Sequence, residues 1–203
     1  MSLYKCFQDA VNTPSDVNEH VDVLREYASK SSSVAEFGVR GGVSTFGLIY
    51  GLSQSTAATK SYVGVDINYC DITKTMSQHA KEAGIDYTFI QHDSATVDIP
   101  QVDTLYIDSW HIYGHLKREL NNNHKKVNKW IIMHDTTVDG VLGESIRNGW
   151  NTAQQSKETG YPEEEIRKGL WPAITEFLEQ NTAWKLLERR VNCNGLTILE
   201  RVE

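Results

Sequence analysis

The stretch Val34-Ala35-Glu36-Phe37-Gly38-Val39-Arg40-Gly41-Gly42-Val43-Ser44-Thr45 constrains the fold more than any other part of the chain. A short apolar run ends in an acid and a glycine, a glycine-rich turn follows, and a helical pattern starts straight after it. A strand that enters a helix through such a turn brings backbone N–H groups up to a ligand. Glycine permits the tight path, and a helix N-terminus leaves its first donors unpaired. Further on, a second apolar strand, Ser61-Tyr62-Val63-Gly64-Val65, ends in Asp66. A carboxylate at the tip of the second strand is placed to accept hydrogen bonds from the two hydroxyls of a ribose. Together the two features point to a nucleoside-bearing cofactor.

The rest of the chain supplies alternating units. Apolar positions 17, 21, 24 and 27 predict a helix over 15–31. Strands follow at 34–37, 61–66, 86–91, 104–107 and 129–133, with helices at 43–53, 71–83 and 113–125. Asp71 is the expected N-cap of the second of these helices. Such alternation implies right-handed crossovers and a parallel sheet covered on both faces. The tail breaks the rhythm. A helix over 163–180 precedes two strand-like runs, 184–189 and 196–200, and the turn signal Asn192-Cys193-Asn194-Gly195 between them predicts an antiparallel hairpin at the sheet edge. The 203 residues suit a single domain. It divides into an N-terminal helical segment (1–32), a core (33–136), a polar stretch at 139–170 that is a candidate mobile cover, and the hairpin (184–201).

A net charge of −7 argues against nucleic acid or an anionic membrane as partner, since both need a basic face. The three cysteines, Cys6, Cys70 and Cys193, are widely spaced and form no CxxC pair, so a reducing compartment is expected. The first 30 residues carry no signal-peptide apolar core, and no run approaches membrane-spanning length. A cytoplasmic location is the expectation. Nothing in the sequence speaks to oligomeric state, so a homo-oligomer stays open.

In open α/β sheets, ligands sit beyond the carboxyl ends of the strands. There this chain carries Glu36 and Gly38, Asp66, His92-Asp93-Ser94, Asp108 with His111, and His134-Asp135. The first turn does not fit the GxGxxG of dinucleotide oxidoreductases, because Gly38 and Gly42 stand four apart with Gly41 between them. Its ExGxxxGxS pattern instead resembles the first motif of class I S-adenosylmethionine-dependent methyltransferases. That resemblance implies a Rossmann-like α/β three-layer sandwich with a seven-stranded, mostly parallel sheet and a reversed last strand. It implies S-adenosylmethionine as cofactor, with Glu36 among the cofactor-binding residues, Gly38, Gly42 and Ser44 at the methionine end, Asp66 on the ribose, and Asp93 and Ser94 on the adenine.

The fourth strand, Tyr106-Ile107-Asp108-Ser109-Trp110-His111, followed by Tyr113 and a helix, resembles a narrower group. This is the metal-dependent O-methyltransferase branch that includes cephalosporin-hydroxylase-like proteins. The resemblance implies that Asp108 binds a divalent cation and that His111 is a general base. The chemistry is coherent. A hydroxyl is a poor nucleophile until a cation lowers its pKa and a base takes its proton, and attack on a sulfonium methyl then needs mostly alignment. After the fifth strand, Asp135 would complete the cation site. His134 stands where some relatives have a carboxylate, and reads equally as a ligand or as a residue behind the ligands or against the substrate. Two carboxylates suit Mg²⁺ or Mn²⁺, whereas a bound histidine tilts the site towards a transition metal.

The reaction implied is methyl transfer from S-adenosylmethionine to a hydroxyl on a small molecule. The alternatives are a metal-independent N- or C-methyltransferase, a nucleotide-binding oxidoreductase, and a non-catalytic cofactor-binding protein. His111 and His115 lie one helical turn apart but lack the glutamate of an HExxH zinc site. Trp110, Trp150 and Trp171 are expected in core or cover packing.

Overall fold

In the computed structural model, which describes residues 1–202, seven strands form one sheet in the order β3-β2-β1-β4-β5-β7-β6. They are β1 (Ser33–Phe37), β2 (Ser61–Asp66), β3 (Asp86–Gln91), β4 (Val102–Ile107), β5 (Val127–His134), β6 (Trp184–Arg190) and β7 (Leu196–Arg201). The first five run parallel; β7 pairs antiparallel with both β5 and β6. The chain starts mid-sheet at β1, builds outward through β2 and β3, then returns to the other side of β1 with β4. The carboxyl ends of β1 and β4 therefore flank the switch point, where a ligand crevice forms.

The sheet is largely apolar on both faces because helices cover both, which is why β1, β2 and β4 are buried along nearly their whole length rather than on alternate residues. On one face Ala35, Phe37, Leu105, Ile107 and Met133 pack with helices α5 (Tyr113–Asn123) and α9 (Leu170–Gln180). On the other, Val34, Tyr62 and Tyr106 pack with α2 (Val21–Ser29), α3 (Val43–Gln54) and α4 (Thr73–Glu82). Strand alternation puts Glu36 on the second face, with Val34.

The expected seven-stranded, hairpin-ended architecture is present, and the elements depart from expectation in four places. A helix α1 (Leu3–Asn12), capped by Ser2 accepting from Lys5 N, opens the expected N-terminal helical segment, ahead of the one helix predicted there. The helix expected over 15–31 is a single 3₁₀ turn at Asn18–His20 followed by α2. Asp71 does not cap α4, whose N-cap is Ile72, without a side-chain hydrogen bond. The helix expected over 163–180 is two, α8 (Glu163–Arg167) and α9. It breaks because the chain at 167–171 pairs with 139–143 instead. Gly143 N donates to Arg167 O, Gly169 N to Val141 O and Leu170 N to Asp139 O. A Cβ at Gly169 would lie 2.3 Å from Asp139 O, so only glycine permits this approach. The polar stretch itself carries α6 (Glu144–Arg147) and α7 (Thr152–Thr159). No helix among the described residues is long and apolar enough to cross a membrane.

Helix α3 is drawn close to α2 by Gly47 and Gly51, where a Cβ would lie 2.7 Å from Val21 O and 2.3 Å from Arg25 O. Alanine gains about 1 kcal/mol over glycine in a helix interior, but overpacking a tight contact costs about 1–3 kcal/mol. The Gly51→Ala variant is therefore expected to unfold at lower urea concentration than the parent. An unchanged or raised midpoint would contradict the close packing.

Candidate active site

The glycine turn is held from three sides. Gly38 has φ +90° and an added Cβ would sit 2.0 Å from the carbonyl oxygen of Asp108, so the turn rests directly on the end of β4. Gly42, at φ +77°, is the N-cap of α3, and a Cβ there would overlap Met76 of α4. Asp66 Oδ2 accepts from Val39 N (3.1 Å) and Arg40 N (3.0 Å), while Oδ1 accepts from Asn68 N (2.9 Å). The tip of β2 thus clamps the turn and still faces the open crevice.

Glu36 and Ser44 lie beneath this turn rather than on the crevice wall. Glu36 is fully buried. Its carboxylate accepts from Ser44 Oγ (2.5 Å), Thr45 Oγ1 (2.6 Å) and the Tyr62 hydroxyl, which ties β1 to the start of α3 and to β2. Burial pushes the Glu36 carboxyl up to about 7 against the opposite pull of those three hydroxyls.

Above the turn opens a cleft of about 780 Å³ lined by Gly38, Arg40, Asp66, Asp93, Ser94 and Asp108, with Glu144, Trp150, Glu158 and Tyr161 from the 139–170 stretch as its outer wall. Ser94 Oγ lies 3.0 Å from His115 Nε2, and His115 Nδ1 lies 3.3 Å from the Tyr161 hydroxyl. Trp110 and Tyr161 stack with centroids 5.9 Å apart, and the Arg118 guanidinium covers the Tyr161 ring at 4.1 Å. Ser109 Oγ donates to the buried Glu119 (2.6 Å), which also approaches His115 Nε2 at 3.4 Å. Sequence reasoning missed His115, Glu119 and Tyr161 as site residues and assigned Trp110 to packing. The only signal was the four-residue spacing of His115 and Glu119, which puts both on one face of α5, after His111.

Asp108 belongs both to the cleft and to an acid–imidazole cluster behind it. His111 Nε2 is 3.1 Å from Asp108 Oδ1, and Nδ1 is 2.8 Å from Asp135 Oδ2, 3.3 Å from Asp139 Oδ2 and 3.7 Å from Glu144 Oε2. Burial alone would depress the His111 pKa, but Asp108, Asp135 and Asp139 outweigh it and hold the imidazole well above its ordinary range. Burial would likewise raise Asp108, yet hydrogen bonds from His111 and His134 keep it far below the usual carboxylate range. Asp139 is fully buried and clasped by Arg147, whose Nε and Nη2 donate at 2.6 and 2.9 Å. Asp135 takes the left-handed conformation, φ +56°, that non-glycine residues seldom adopt outside sites where surrounding structure enforces it.

Asp108, His111 and Asp135 can each aim one donor atom at a common point, all three atoms lying within 4.8 Å of one another. His134 is not among the converging donors. It is buried behind them, with Nδ1 3.3 Å from both Asp108 Oδ1 and Asp135 Oδ1 and Nε2 3.1 Å from the Cys193 carbonyl in the hairpin turn. Asp139, Glu144 and Arg147 were not foreseen, because their place here depends on the pairing of 139–143 with 167–171.

No protein-family model matches the chain, and no curated protein matches it in sequence. Solved structures do match in shape. The chain resembles the O-methyltransferase from Bacillus cereus in complex with SAH over 98% of its own length and 90% of that chain, at 17% identity and a TM-score of 0.60. It resembles the O-methyltransferase TomG from Streptomyces achromogenes, involved in tomaymycin synthesis and solved in complex with SAM, over 99% and 89%, at 12% identity and 0.57. A ribosomal protein L11 methylase from Lactobacillus delbrueckii subsp. bulgaricus matches over 92% and 79%, at 14% identity and 0.54. The fold is thus the Rossmann-like α/β fold of class I methyltransferases. Neighbours of such different description share it, so the fold alone does not choose an acceptor.

Glu36 offers a direct check on the turn's foundation. Its folded pKa is raised from 4.5 to about 7, so its stabilising contribution is full below pH 4.5 and is lost as pH rises through 7. Relative to a Glu36→Gln variant, the parent should lose on the order of 3 kcal/mol of unfolding free energy across that window. Parallel stability profiles for the two proteins would contradict the assignment.

Proposed function

We propose that the chain is an S-adenosylmethionine-dependent methyltransferase acting on a hydroxyl oxygen of a small molecule, with a divalent cation at the acid–imidazole cluster. The observation that carries this reading is the double membership of Asp108, which lines the cleft and also belongs to the cluster. A donor held in the cleft would end beside the acids that could hold an acceptor.

Each part of the cleft has a matching task. The N-terminus of α3 behind Gly42 offers N–H groups to the donor's carboxylate. Glu36 and Ser44 serve the cofactor through the turn they brace. Asp66 keeps lone pairs beyond those used by Val39, Arg40 and Asn68, and takes the ribose hydroxyls. Asp93 and Ser94 hydrogen-bond the adenine, and Trp110 with Tyr161 provides an aromatic wall for it. Five carboxylates, of Asp66, Asp93, Asp108, Glu144 and Glu158, face the cleft against the single guanidinium of Arg40, a field that favours a sulfonium cation.

The cluster fits a cation on two counts. Its donors are two carboxylates and an imidazole, and the buried His111 Nδ1 and Asp135 Oδ1 lack a well-aligned hydrogen bond. When bound, a divalent cation such as Mg²⁺ or Mn²⁺ would lower the pKa of the acceptor hydroxyl. Asp108 and Asp135 would hold it, with His111 or His134 adjacent. His111 holds a proton between these carboxylates in the arrangement described, so it serves as base only once they are otherwise engaged. That same arrangement favours a second reading, metal-independent methyl transfer, in which the His111 imidazolium already balances Asp108 and Asp135.

Calorimetric titration with S-adenosylmethionine and with NAD, each with and without Mg²⁺, tests the main reading. Heat is expected with S-adenosylmethionine alone of the two, and none under either condition would overturn it. Asp108→Ala is expected to cut cation-dependent turnover by about 100-fold or more. Turnover that survives a chelator unchanged would favour the metal-independent reading.

A further inference from the structure

His115 lines the cleft, and its ring joins two walls that are remote from each other in sequence. Nε2 lies 3.0 Å from Ser94 Oγ, on the loop after β3, and Nδ1 lies 3.3 Å from the Tyr161 hydroxyl on the outer wall. Either tautomer can make both links, because a neutral ring donates from one nitrogen and accepts at the other, while a hydroxyl does either. Glu119, one turn further along α5, holds the ring from behind. Its carboxylate is fully buried, accepts from Ser109 Oγ on Oε1, and brings that same oxygen within 3.4 Å of His115 Nε2. Its Oε2 has no hydrogen bond. A buried carboxylate so sparsely bonded needs a positive partner. Burial would lower the His115 pKa, but Glu119 and, further off, Asp93 outweigh it and the nearby Arg118, and hold the imidazole above its ordinary range. The outer wall, by contrast, has few ties of its own. Thr152 alone is buried in α7. The helix ends at Gly160, left-handed at φ +74°, where an added Cβ would meet nothing within 4 Å. Tyr161 follows directly, and its stack on Trp110, the Arg118 guanidinium over its ring and the His115 link secure that end of the wall.

We propose that His115 is a positioning residue for the methyl donor: braced by Glu119, it fixes Ser94 on the inner wall and Tyr161 on the outer wall in the arrangement that receives the adenine. The inference rests on the donor placement proposed above. Its physical content is preorganisation. A serine hydroxyl turns freely unless a partner holds it, and a wall tied at few points must be ordered when a ligand arrives. A ring that holds both beforehand removes that ordering cost from binding. His115 thus acts through Ser94 and Tyr161, and its effect falls on donor affinity.

Calorimetric titration of the full chain with S-adenosylhomocysteine, which needs no acceptor, tests this. His115→Leu is expected to bind it about tenfold more weakly than the parent. His115→Gln, whose amide can still hydrogen-bond Ser94, should recover affinity to within about threefold of the parent. A second measurement leaves the buried His115–Glu119 pair intact. Ser94→Ala and Tyr161→Phe each remove one hydroxyl, and the phenylalanine keeps the ring stack. Because the two hydroxyls communicate through one imidazole, the double variant should lose distinctly less affinity than the product of the two single losses. Parent-like binding by His115→Leu, a His115→Gln variant no better than His115→Leu, or strictly multiplicative losses in the double variant would each overturn the proposal while leaving the donor site standing. A parent that binds no S-adenosylhomocysteine would overturn the donor placement itself, and this inference with it.

Discussion

A side chain at position 38 would place its Cβ 2.0 Å from the backbone oxygen of Asp108, and much of the site follows from that one contact. Because residue 38 is glycine, the turn leaving β1 lies flat against the end of β4. The two strands are register neighbours, Phe37 opposite Ile107, and Asp108 N continues the ladder by donating to Phe37 O. The turn and the acid at the tip of β4 are thereby fixed to the same piece of sheet. Asp66 then secures the turn from β2, and Glu36 secures it from below. A donor held over this turn, as proposed, would lie next to the cluster through that shared backbone.

The cluster behind the cleft concentrates charge in a way that requires compensation. Asp108, Asp135, Asp139 and Glu144 surround one imidazole, and Arg147 neutralises one of the four. Buried like charges at this spacing repel strongly unless paired. In the arrangement described, the proton on His111 and the second imidazole of His134 supply the pairing. A divalent cation would supply it more fully, and that difference underlies the preference for a metal-assisted reaction over a metal-free one. The 139–147 segment is part of the same balance, since Arg147 reaches back to Asp139 and Glu144 approaches both the backbone and the ring of His111.

Much of this was legible in the sequence for a physical reason. Central strands of a doubly covered sheet are mostly apolar on both faces, so the apolar stretches of β1, β2, β4 and β5 stand out, and the tips beyond them are where polar residues collect. That rule alone reaches Asp66, Asp93, Ser94, Asp108, His111 and Asp135. It does not tell which way a side chain points, and Glu36 and Ser44 proved to face each other under the turn. Alternation along β1 carried that information, since Glu36 shares a face with the core residue Val34. The residues that escaped sit on segments whose paths are set by contacts distant in sequence. Asp139, Glu144 and Tyr161 reach the site because Leu142 and Lys168 form a bridge. Helix α1 escaped for another reason. Its few buried positions, Cys6, Phe7 and Ala10, make too short a stripe to read.

The central claim is that the methyl donor and the cation meet across Asp108. Paramagnetic relaxation of S-adenosylmethionine carrying a ¹³C-methyl group, bound to the protein with Mn²⁺, measures this directly. The account predicts strong relaxation of the methyl resonance that disappears when Mg²⁺ replaces Mn²⁺ or when Asp108 is changed to Ala. A donor that binds with its methyl resonance untouched by bound Mn²⁺ would contradict it.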